Sequence, residues 1–363
     1  MNKKFLERIR SSKRIIVANP GGIGDDIHLL PALDVIRQFC PEAKFDLLAS
    51  DGSAPLLSAI DGVDQVFTVK WSPRFKDRAK KRMARWMALK YIAFSKYDAF
   101  IDFRPSDATQ LFLIASRAPV RLGIDCMYWD VKRPILYTDV VHQYWNNDSS
   151  YEFMLRGLGQ VGFDVGDAHI GPHLLPKFLQ ANMEYKGCIH VSLCTSANSR
   201  ELSILESRSL VEKLCRNYPC KKILITGMAT DRELDFITNV VNGLNFANLD
   251  VAVGRFTILE LLSVLLAADI HIGPDTGTVH MAWLCGTPSV SWYLNHETLM
   301  AWMPKSPRHT VLVSPFEQSR RSSFMQGIGA IDILNAVDQS LKIDSRKLSI
   351  KGNPNINFLI KKF

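Results

Sequence analysis

A small-residue turn in the last third of the chain has residue types suited to binding an anion. Residues 273–280 read Gly-Pro-Asp-Thr-Gly-Thr-Val-His, and they follow the apolar run 261–270, which predicts a helix and then a short buried strand. The turn opens a further helix, where small residues such as Thr276 and Gly277 leave backbone N–H groups uncovered. These N–H groups and the positive end of the helix dipole attract phosphate. Asp275 would repel a phosphate beside it, so its expected partners are sugar hydroxyls; N-capping of the helix is the alternative.

A second turn, near the start of the chain, combines glycines with acidic residues. Residues 14–19 predict a buried strand, 27–39 a helix and 44–49 the next strand, so the turn lies where α/β sheets bind ligands. Its Gly-Gly-x-Gly spacing is neither the G-x-G-x-x-G fingerprint of dinucleotide sites nor a Walker A loop. A carboxylate here opposes a bare phosphate but suits a general base. The candidate base is Asp25, and the other candidate residues of this glycine loop are Gly22, Gly24 and Asp26.

Taken together, the two turns resemble glycosyltransferase family nine, the bacterial lipopolysaccharide heptosyltransferases. The N-terminal motif is Gly-Asp at 24–25 followed by Leu-Pro-Ala-Leu at 30–33. The C-terminal motif is Asp-Thr-Gly-Thr-Val-His-Met-Ala at 275–282 with Gly-Thr-Pro at 286–288. Either motif alone is weak, but the two occur in the family's order, and the resemblance spans most of the chain.

The resemblance implies roles for residues of both turns and of two further loops. Asp25 would be the general base, with Asp26 beside it as the alternative, and Gly22, Gly24 and Asp26 would line the acceptor loop. Capping of the helix at 27–39 is the alternative role for both acids. Arg200 stands where the family has a lysine and would stabilise the departing diphosphate, since arginine keeps the charge; a solvated arginine at a helix start is the alternative. Thr195 and Ser196 would donate hydroxyls to phosphate or cap the loop locally.

The nucleoside is expected in the loop after the strand at residues 222–226. By resemblance, Asp231 would hold the ribose hydroxyls and Met228 would lie near the base, although N-capping explains Asp231 equally well. His280, one turn into the phosphate-facing helix, would bond the diphosphate or serve as a structural histidine. Donor binding is therefore assigned to Thr195, Ser196, Met228, Asp231, Asp275, Thr276, Gly277 and His280.

Composition limits the class of protein. The chain has 363 residues, enough for two domains, and its 47% hydrophobic and 22% charged residues are ordinary for a globular protein. We find no signal-peptide pattern and no stretch near the ~20 uncharged apolar residues that span a bilayer. Seven cysteines without a C-x-x-C pair fit a reducing compartment and predict neither a disulfide framework nor a metal site. No cofactor and no metal are expected.

The net charge of +8 is concentrated in one segment, residues 70–96, which holds ten basic residues and one acid. Aromatic and methionine residues are interleaved, a pattern that predicts a basic amphipathic helix suited to anionic lipid head groups or acidic sugars. A solvated helix whose apolar face packs on its own domain is the alternative, and nucleic acid is not expected as a partner. We therefore expect a cytoplasmic protein, peripheral on the inner face of the inner membrane.

Strands and helices alternate along the chain in two series separated by the Gly- and Pro-rich stretch 164–180. This predicts an α/β protein of two Rossmann-like parallel-sheet domains facing across a cleft; the resemblance implies the same GT-B architecture. Residues 1–178 would form the acceptor domain and 179–340 the nucleotide-sugar domain, with 341–363 a tail packing back on the first domain. Residues 128–148 are predicted to be irregular.

The sequence thus predicts an inverting glycosyltransferase that moves heptose from ADP-heptose to an inner-core sugar of lipopolysaccharide or lipooligosaccharide. The acceptor would be a lipid-linked acidic oligosaccharide. The identity of the donor rests on the resemblance alone. Transfer of another nucleotide-activated sugar to a surface glycan and a GT-B nucleotide-sugar epimerase are the alternatives. A dinucleotide-dependent dehydrogenase is disfavoured by the absent G-x-G-x-x-G spacing.

Overall fold

The computed structural model describes residues 3–70, 77–126, 130–131, 133–296, 298–317 and 323–347. The chain divides into two compact units, Met1–Lys177 and Phe178–Phe363. Residues 71–76 of the basic segment lie outside the described residues. Residues 341–347 of the predicted tail end the last helix and 348–363 lie outside the described residues, so the packing of the tail stays a prediction.

Unit 1 alternates strands with helices, and its strands pair only in parallel, in the order β3-β2-β1-β4-β5-β6. Its elements are α1 (Lys3–Arg10), β1 (Arg14–Ala18), α2 (Ile23–Phe39), β2 (Lys44–Ser50), α3 (Ala54–Ala59), β3 (Val63–Lys70), α4 (Arg78–Phe94), β4 (Ala99–Asp102), α5 (Asp107–Ser116), β5 (Val120–Ile124), β6 (Asp139–Val141) and α6 (Ser150–Val161).

Unit 2 repeats this topology, with strand order β12-β11-β10-β7-β8-β9. Its elements are β7 (Ile189–Ser192), α7 (Ile204–Asn217), β8 (Ile223–Gly227), α8 (Asp231–Val241), β9 (Leu249–Val253), α9 (Ile258–Ala267), β10 (Ile270–Pro274), α10 (Gly277–Cys285), β11 (Ser289–Asn295), α11 (Leu299–Trp302), β12 (His309–Glu317) and α12 (Ala330–Lys347). Numbered within each unit, both sheets have the Rossmann order 3-2-1-4-5-6. The prediction of two Rossmann-like parallel-sheet domains is confirmed.

The central strands are apolar on both faces because helices cover both sides of a parallel sheet. In β1, for example, residues 15–18 read Ile-Ile-Val-Ala and all four are fully buried.

Two boundaries of helices and strands differ from the predicted ones. The helix expected at 27–39 begins at Ile23, so Asp25 and Asp26 lie in its first turn. The segment 128–148, expected to be irregular, contains β6, a strand of three residues too short for its pattern to be recognised.

The strand order reverses between β1 and β4 in unit 1 and between β7 and β10 in unit 2. At such a point the following loops run in opposite directions and open a crevice at the carboxyl ends of the strands. All four loops singled out by their residue types follow these strands or their neighbour β8. Within the described residues, every helix is too short or too polar to cross a lipid bilayer.

A row of polar side chains crosses the sheet of unit 2. His190, His271, Ser289 and His309 are neighbours in register on four adjacent strands, and all are buried. The Nδ1 atoms of His190 and His271 lie 2.8 Å apart, and Ser289 Oγ lies 2.7 Å from Nδ1 of His309. Burial lowers the pKa of His190 and of His309 to about 3 and that of His271 well below its usual value, so these rings are neutral in the folded protein.

This row makes unit 2 sensitive to acid. A histidine in the unfolded chain has a pKa of about 6.5, so below this pH the unfolded chain binds protons that the buried histidines of the folded chain do not bind. The free energy of unfolding therefore falls as the pH falls toward the pKa that these histidines have in the folded state. Between pH 7 and pH 5, His309 alone accounts for a loss of at most about 2 kcal/mol. We expect His309→Asn, which cannot be protonated but can still bond Ser289, to unfold with a shallower pH dependence than the native chain in chemical denaturation.

The comparison with the variant is needed because buried acids in unit 1 act in the opposite sense. Burial raises the pKa of Asp26 and of Asp102 to about 7, so both disfavour the folded state progressively as the pH rises from about 4 to 7. Identical pH dependence of the native chain and His309→Asn would contradict the assignment to His309.

Candidate functional site

In unit 1 the candidate base is held by two hydrogen bonds in the first turn of α2. Asp25 Oδ2 accepts from the backbone N–H of Gly22 at 2.5 Å, and Oδ1 accepts from Arg104 Nη1 at 2.6 Å. Arg104 follows β4 by two residues, so the ion pair bridges the reversal of strand order. Both side chains are about one-fifth exposed. A Cβ atom at Gly21 would lie 2.0 Å from that of Asp25, so the close approach of this loop excludes any side chain there. Gly24 lies between Gly22 and Asp25 in the first turn of α2.

Asp26 points the other way and is fully buried. Its Oδ2 accepts from Ser50 Oγ at 3.3 Å and from Ser53 Oγ, which ties α2 to the loop after β2. Burial is the main cause that raises its pKa to about 7. The expectation that Asp26 lines an acceptor loop is therefore corrected, because its carboxyl group faces the interior.

In unit 2 the corresponding position also carries an ion pair. Arg200 ends a short 3₁₀ helix, Asn198–Arg200, in the loop after β7, and Asp275 follows β10. Nη1 of Arg200 donates to Oδ2 of Asp275 at 2.9 Å and to its backbone oxygen at 2.8 Å, and Nη2 donates to Ser196 Oγ at 3.0 Å. Trp292 Nε1 donates to the backbone oxygen of Arg200 at 2.8 Å, which attaches the loop to β11.

The helix that follows Asp275 begins without a side-chain cap. Its N-cap residue is Thr276, which makes no side-chain capping bond, so the N-cap interpretation of Asp275 is wrong. The first helical residue is Gly277, whose backbone carries no side chain. The N–H groups of this first turn are therefore suited to an anion. His280, one turn further, is buried, with its ring 6.3 Å from that of Trp302 in an edge-on arrangement, as expected for the structural alternative.

The loop after β7 is held by a buried carboxylate that sequence reasoning missed. Glu201 is almost fully buried and accepts two bonds of 2.9 Å from Arg232 Nη1 and one of 2.6 Å from the backbone N–H of Thr195. Thr195 is also buried, and its Oγ1 exchanges hydrogen bonds with the backbone of Ala197. Thr195 thus fits its capping alternative, whereas Ser196 is exposed.

The loop after β8 presents the two residues expected near the nucleoside. Met228 is 55% exposed, and its backbone N–H donates to Glu233 Oε2 at 2.8 Å. The N-cap of α8 is Thr230, whose side chain accepts from the backbone of Glu233. The N-cap interpretation of Asp231 is therefore wrong, and this exposed carboxylate, the first residue of the helix, is not used as a cap.

Part of the chain matches a known protein family. Residues 178–326 match the family model described as glycosyltransferase family 9 (heptosyltransferase). The lipopolysaccharide core heptosyltransferase OpsX of Haemophilus influenzae is 20% identical over 334 residues, 86% of this chain and 87% of that protein. The second unit of the chain is therefore similar to glycosyltransferase family 9, and the relative named above resembles the chain over most of its length.

Solved structures of heptosyltransferases share the fold of this chain. Escherichia coli heptosyltransferase WaaC with ADP superposes with a TM-score of 0.74 at 17% identity, over 90% of this chain and 99% of that one. WaaC with ADP-2-deoxy-2-fluoro heptose gives 0.71 at 18% identity, with 90% and 99% coverage. The fold is therefore GT-B.

Three residues of this glycosyltransferase were missed from the sequence: Arg104, Glu201 and Arg232. Arg104 had a signal in the sequence, because it comes soon after the short apolar run Ala-Phe-Ile at 99–101, which is typical of a buried strand. Glu201 and Arg232 gave no local signal, since their pairing joins loops 31 residues apart. In the described part of the chain, no group of three or more His, Cys, Asp or Glu side chains is placed to hold a metal ion.

We expect Arg232 to stabilise the folded protein as well as to hold the loop after β7. In Arg232→Ala the buried carboxylate of Glu201 loses its charged partner, and we expect a cost of about 1–3 kcal/mol in the free energy of unfolding. Arg255→Ala is the matched control, because Arg255 pairs at 3.1 Å with the more exposed Asp250 in the same unit and should cost less than about 1 kcal/mol. Urea denaturation of both variants measures the two costs. Equal costs would contradict the inference that the ion pair between Arg232 and Glu201 stabilises the fold.

Proposed function

We propose that this glycosyltransferase moves heptose from ADP-heptose to an inner-core sugar of lipopolysaccharide, in a single displacement that inverts the anomeric centre. The observation that carries the proposal is the partly exposed carboxylate of Asp25, held at the strand reversal of unit 1. In the reaction, the acceptor hydroxyl loses its proton to Asp25 and its oxygen bonds to the anomeric carbon. The bond from that carbon to the diphosphate breaks, and ADP departs with the electron pair.

Asp25 has the attributes of a general base. Gly22 and Arg104 each bond one of its oxygens and so fix the plane of the carboxylate, while the one-fifth of the side chain that stays exposed lets an acceptor hydroxyl approach. A positioned base of this kind accelerates proton transfer only when it lies within hydrogen-bond reach of the hydroxyl.

The leaving diphosphate is assigned to Arg200 and the start of α10. The bonds of Arg200 to Asp275 and Ser196 use three of its five N–H donors, which leaves two for phosphate oxygens. The uncapped backbone N–H groups that begin at Gly277 supply further donors and the helix dipole. Asp275 orients Arg200 and keeps a carboxylate for the hydroxyls of the transferred sugar. Fixed charge of this kind stabilises a leaving group without reorganisation.

The nucleoside is assigned to the loop after β8, where Met228 and Asp231 are exposed. Asp231 suits the ribose hydroxyls and Met228 the face of the base. Support for ADP-heptose comes from the relatives: the WaaC structures carry ADP and ADP-2-deoxy-2-fluoro heptose, and OpsX is named a lipopolysaccharide core heptosyltransferase. Thr195 and His280 are too buried for direct contact, so we assign them to shaping the loop and the helix.

The two neighbouring acids allow a sharp test of the base. Asp25→Asn should lower turnover of ADP-heptose by about 10²–10⁴, because the proton acceptor is lost, while ADP affinity is unchanged. Asp26→Asn is the matched control: its carboxyl group is buried and its raised pKa makes the amide a close substitute, so turnover should stay near that of the native enzyme. The measurement is initial rate against acceptor concentration, with ADP affinity by calorimetry. Normal turnover in Asp25→Asn, or a loss confined to Asp26→Asn, would contradict the assignment.

We also propose that the reaction needs no metal ion, because Arg200 and the start of α10 supply the positive charge that a cation would bring. Transfer should therefore continue at an unchanged rate in excess EDTA, and Arg200→Met should lower kcat with or without added Mg²⁺. Rates with and without chelator for both enzymes give the answer. Loss of activity under EDTA that Mg²⁺ or Mn²⁺ restores would overturn this part of the proposal.

A further inference from the structure

The outward face of α4 carries an apolar stripe that the fold does not use. Met83, Trp86, Met87 and Phe94 are 57, 57, 59 and 83% exposed. They recur at intervals of three, four and seven residues, so they lie along one side of the helix. We call these four residues the outward stripe. On α5, which packs beside α4, Leu111 and Ile114 are also exposed, at 43 and 57%.

The opposite side of α4 already anchors the helix to unit 1. Ala88 and Ile92 are buried there, and the guanidinium of Arg85 lies over the ring of Phe112 at 5.8 Å from its centre. The hydroxyl of Tyr91 accepts from Arg14 at 2.8 Å. The alternative of a helix that simply packs its apolar face on its own domain thus accounts for one face of α4 and leaves the outward stripe unexplained.

The charge of α4 selects among possible partners for that stripe. The helix holds six Lys and Arg residues and no acid between its first and last residue. Lys80, Arg82 and Lys90 are exposed around the stripe, and Lys90 Nζ lies 5.3 Å from the centre of the Trp86 ring. A second copy would set the same positive charge against itself, and a nucleic-acid duplex presents phosphates and no apolar layer into which Met83, Met87 and Phe94 could be buried. A surface that is negatively charged outside and apolar just beneath satisfies both features.

We propose that α4 docks unit 1 on an anionic lipid bilayer, with its axis in the plane of the interface. The outward stripe enters the boundary between head groups and acyl chains, and Lys80, Arg82 and Lys90 contact lipid phosphates. The helix is 17 residues long, so about 25 Å of it can lie along the surface. The proposal assigns the surface by which unit 1 would meet the membrane, and because the binding test below contains no sugar substrate, its outcome is independent of the proposed reaction.

The first test removes charge. The full chain is sedimented with phosphatidylcholine vesicles with and without phosphatidylglycerol, and we expect strong binding only to the anionic ones. Lys80→Gln, Arg82→Gln and Lys90→Gln together should weaken it about a hundredfold, since each charge near the surface accounts for about a factor of five. Lys13→Gln, Lys44→Gln and Lys186→Gln together are the control: they remove the same charge from exposed sites outside α4. Equal losses in both triple variants, or no binding by the native chain, would overturn the proposal.

The second test removes the stripe and separates lipid from other partners. Trp86→Ser with Phe94→Ser should weaken vesicle binding about tenfold or more, and this deficit should persist at ~1 M salt, where charge is screened. Both residues are exposed, so the folded state should keep its stability. Unchanged binding by this variant would overturn the insertion of the stripe. A native dimer in lipid-free ultracentrifugation that the variant lacks would overturn the proposal in favour of self-association, and a charge-variant deficit seen with duplex DNA but not with vesicles would do so in favour of nucleic acid.

Discussion

In each unit, the loops that follow the first and fourth strands leave the sheet in opposite directions, because the order of the strands reverses between them. The carboxyl ends of those two strands are therefore open to a ligand while the rest of the sheet is covered by helices. Every residue that we assign to chemistry depends on this constraint: Asp25 and Arg104 at the reversal of unit 1, Arg200 and Asp275 at that of unit 2.

The two reversals carry the same kind of ion pair with its members exchanged. The acid follows the first strand in unit 1 and the fourth strand in unit 2, and the arginine takes the other place. Partly exposed pairs of this sort add about 0–1 kcal/mol to stability, so their value here is geometric. In unit 1 the arginine holds the carboxylate that we propose as the base, and in unit 2 the acid holds the arginine that we propose for the leaving diphosphate. The proposed reaction needs both, because it removes a proton from one substrate and stabilises the leaving group of the other.

Buried polar groups stiffen the loops around these pairs. Glu201 and Arg232 join the loops after β7 and β8, and Asp26 with Ser53 joins α2 to the loop after β2. Each such group must find a partner because an unpaired buried polar atom is costly. The loops therefore have one arrangement, and the exposed groups they carry are presented in a fixed geometry. The outward stripe of α4 contrasts with these buried groups, because its apolar side chains stay in solvent.

The sequence by itself determined the layers and the places of the loops. Buried β-branched runs alternating with amphipathic helices required two parallel sheets, and Asp25, Asp275 and the glycines around them were recognisable because a turn after a strand is a local pattern. What each side chain does was decided only by the tertiary structure. Asp25 meets Arg104 across 79 residues and Arg200 meets Asp275 across 75. Asp26, beside Asp25 and of the same type, faces the core instead. Local spacing specifies which elements form, whereas the direction and partner of a charged side chain depend on strands that are far apart in the chain and adjacent only after the sheet has formed.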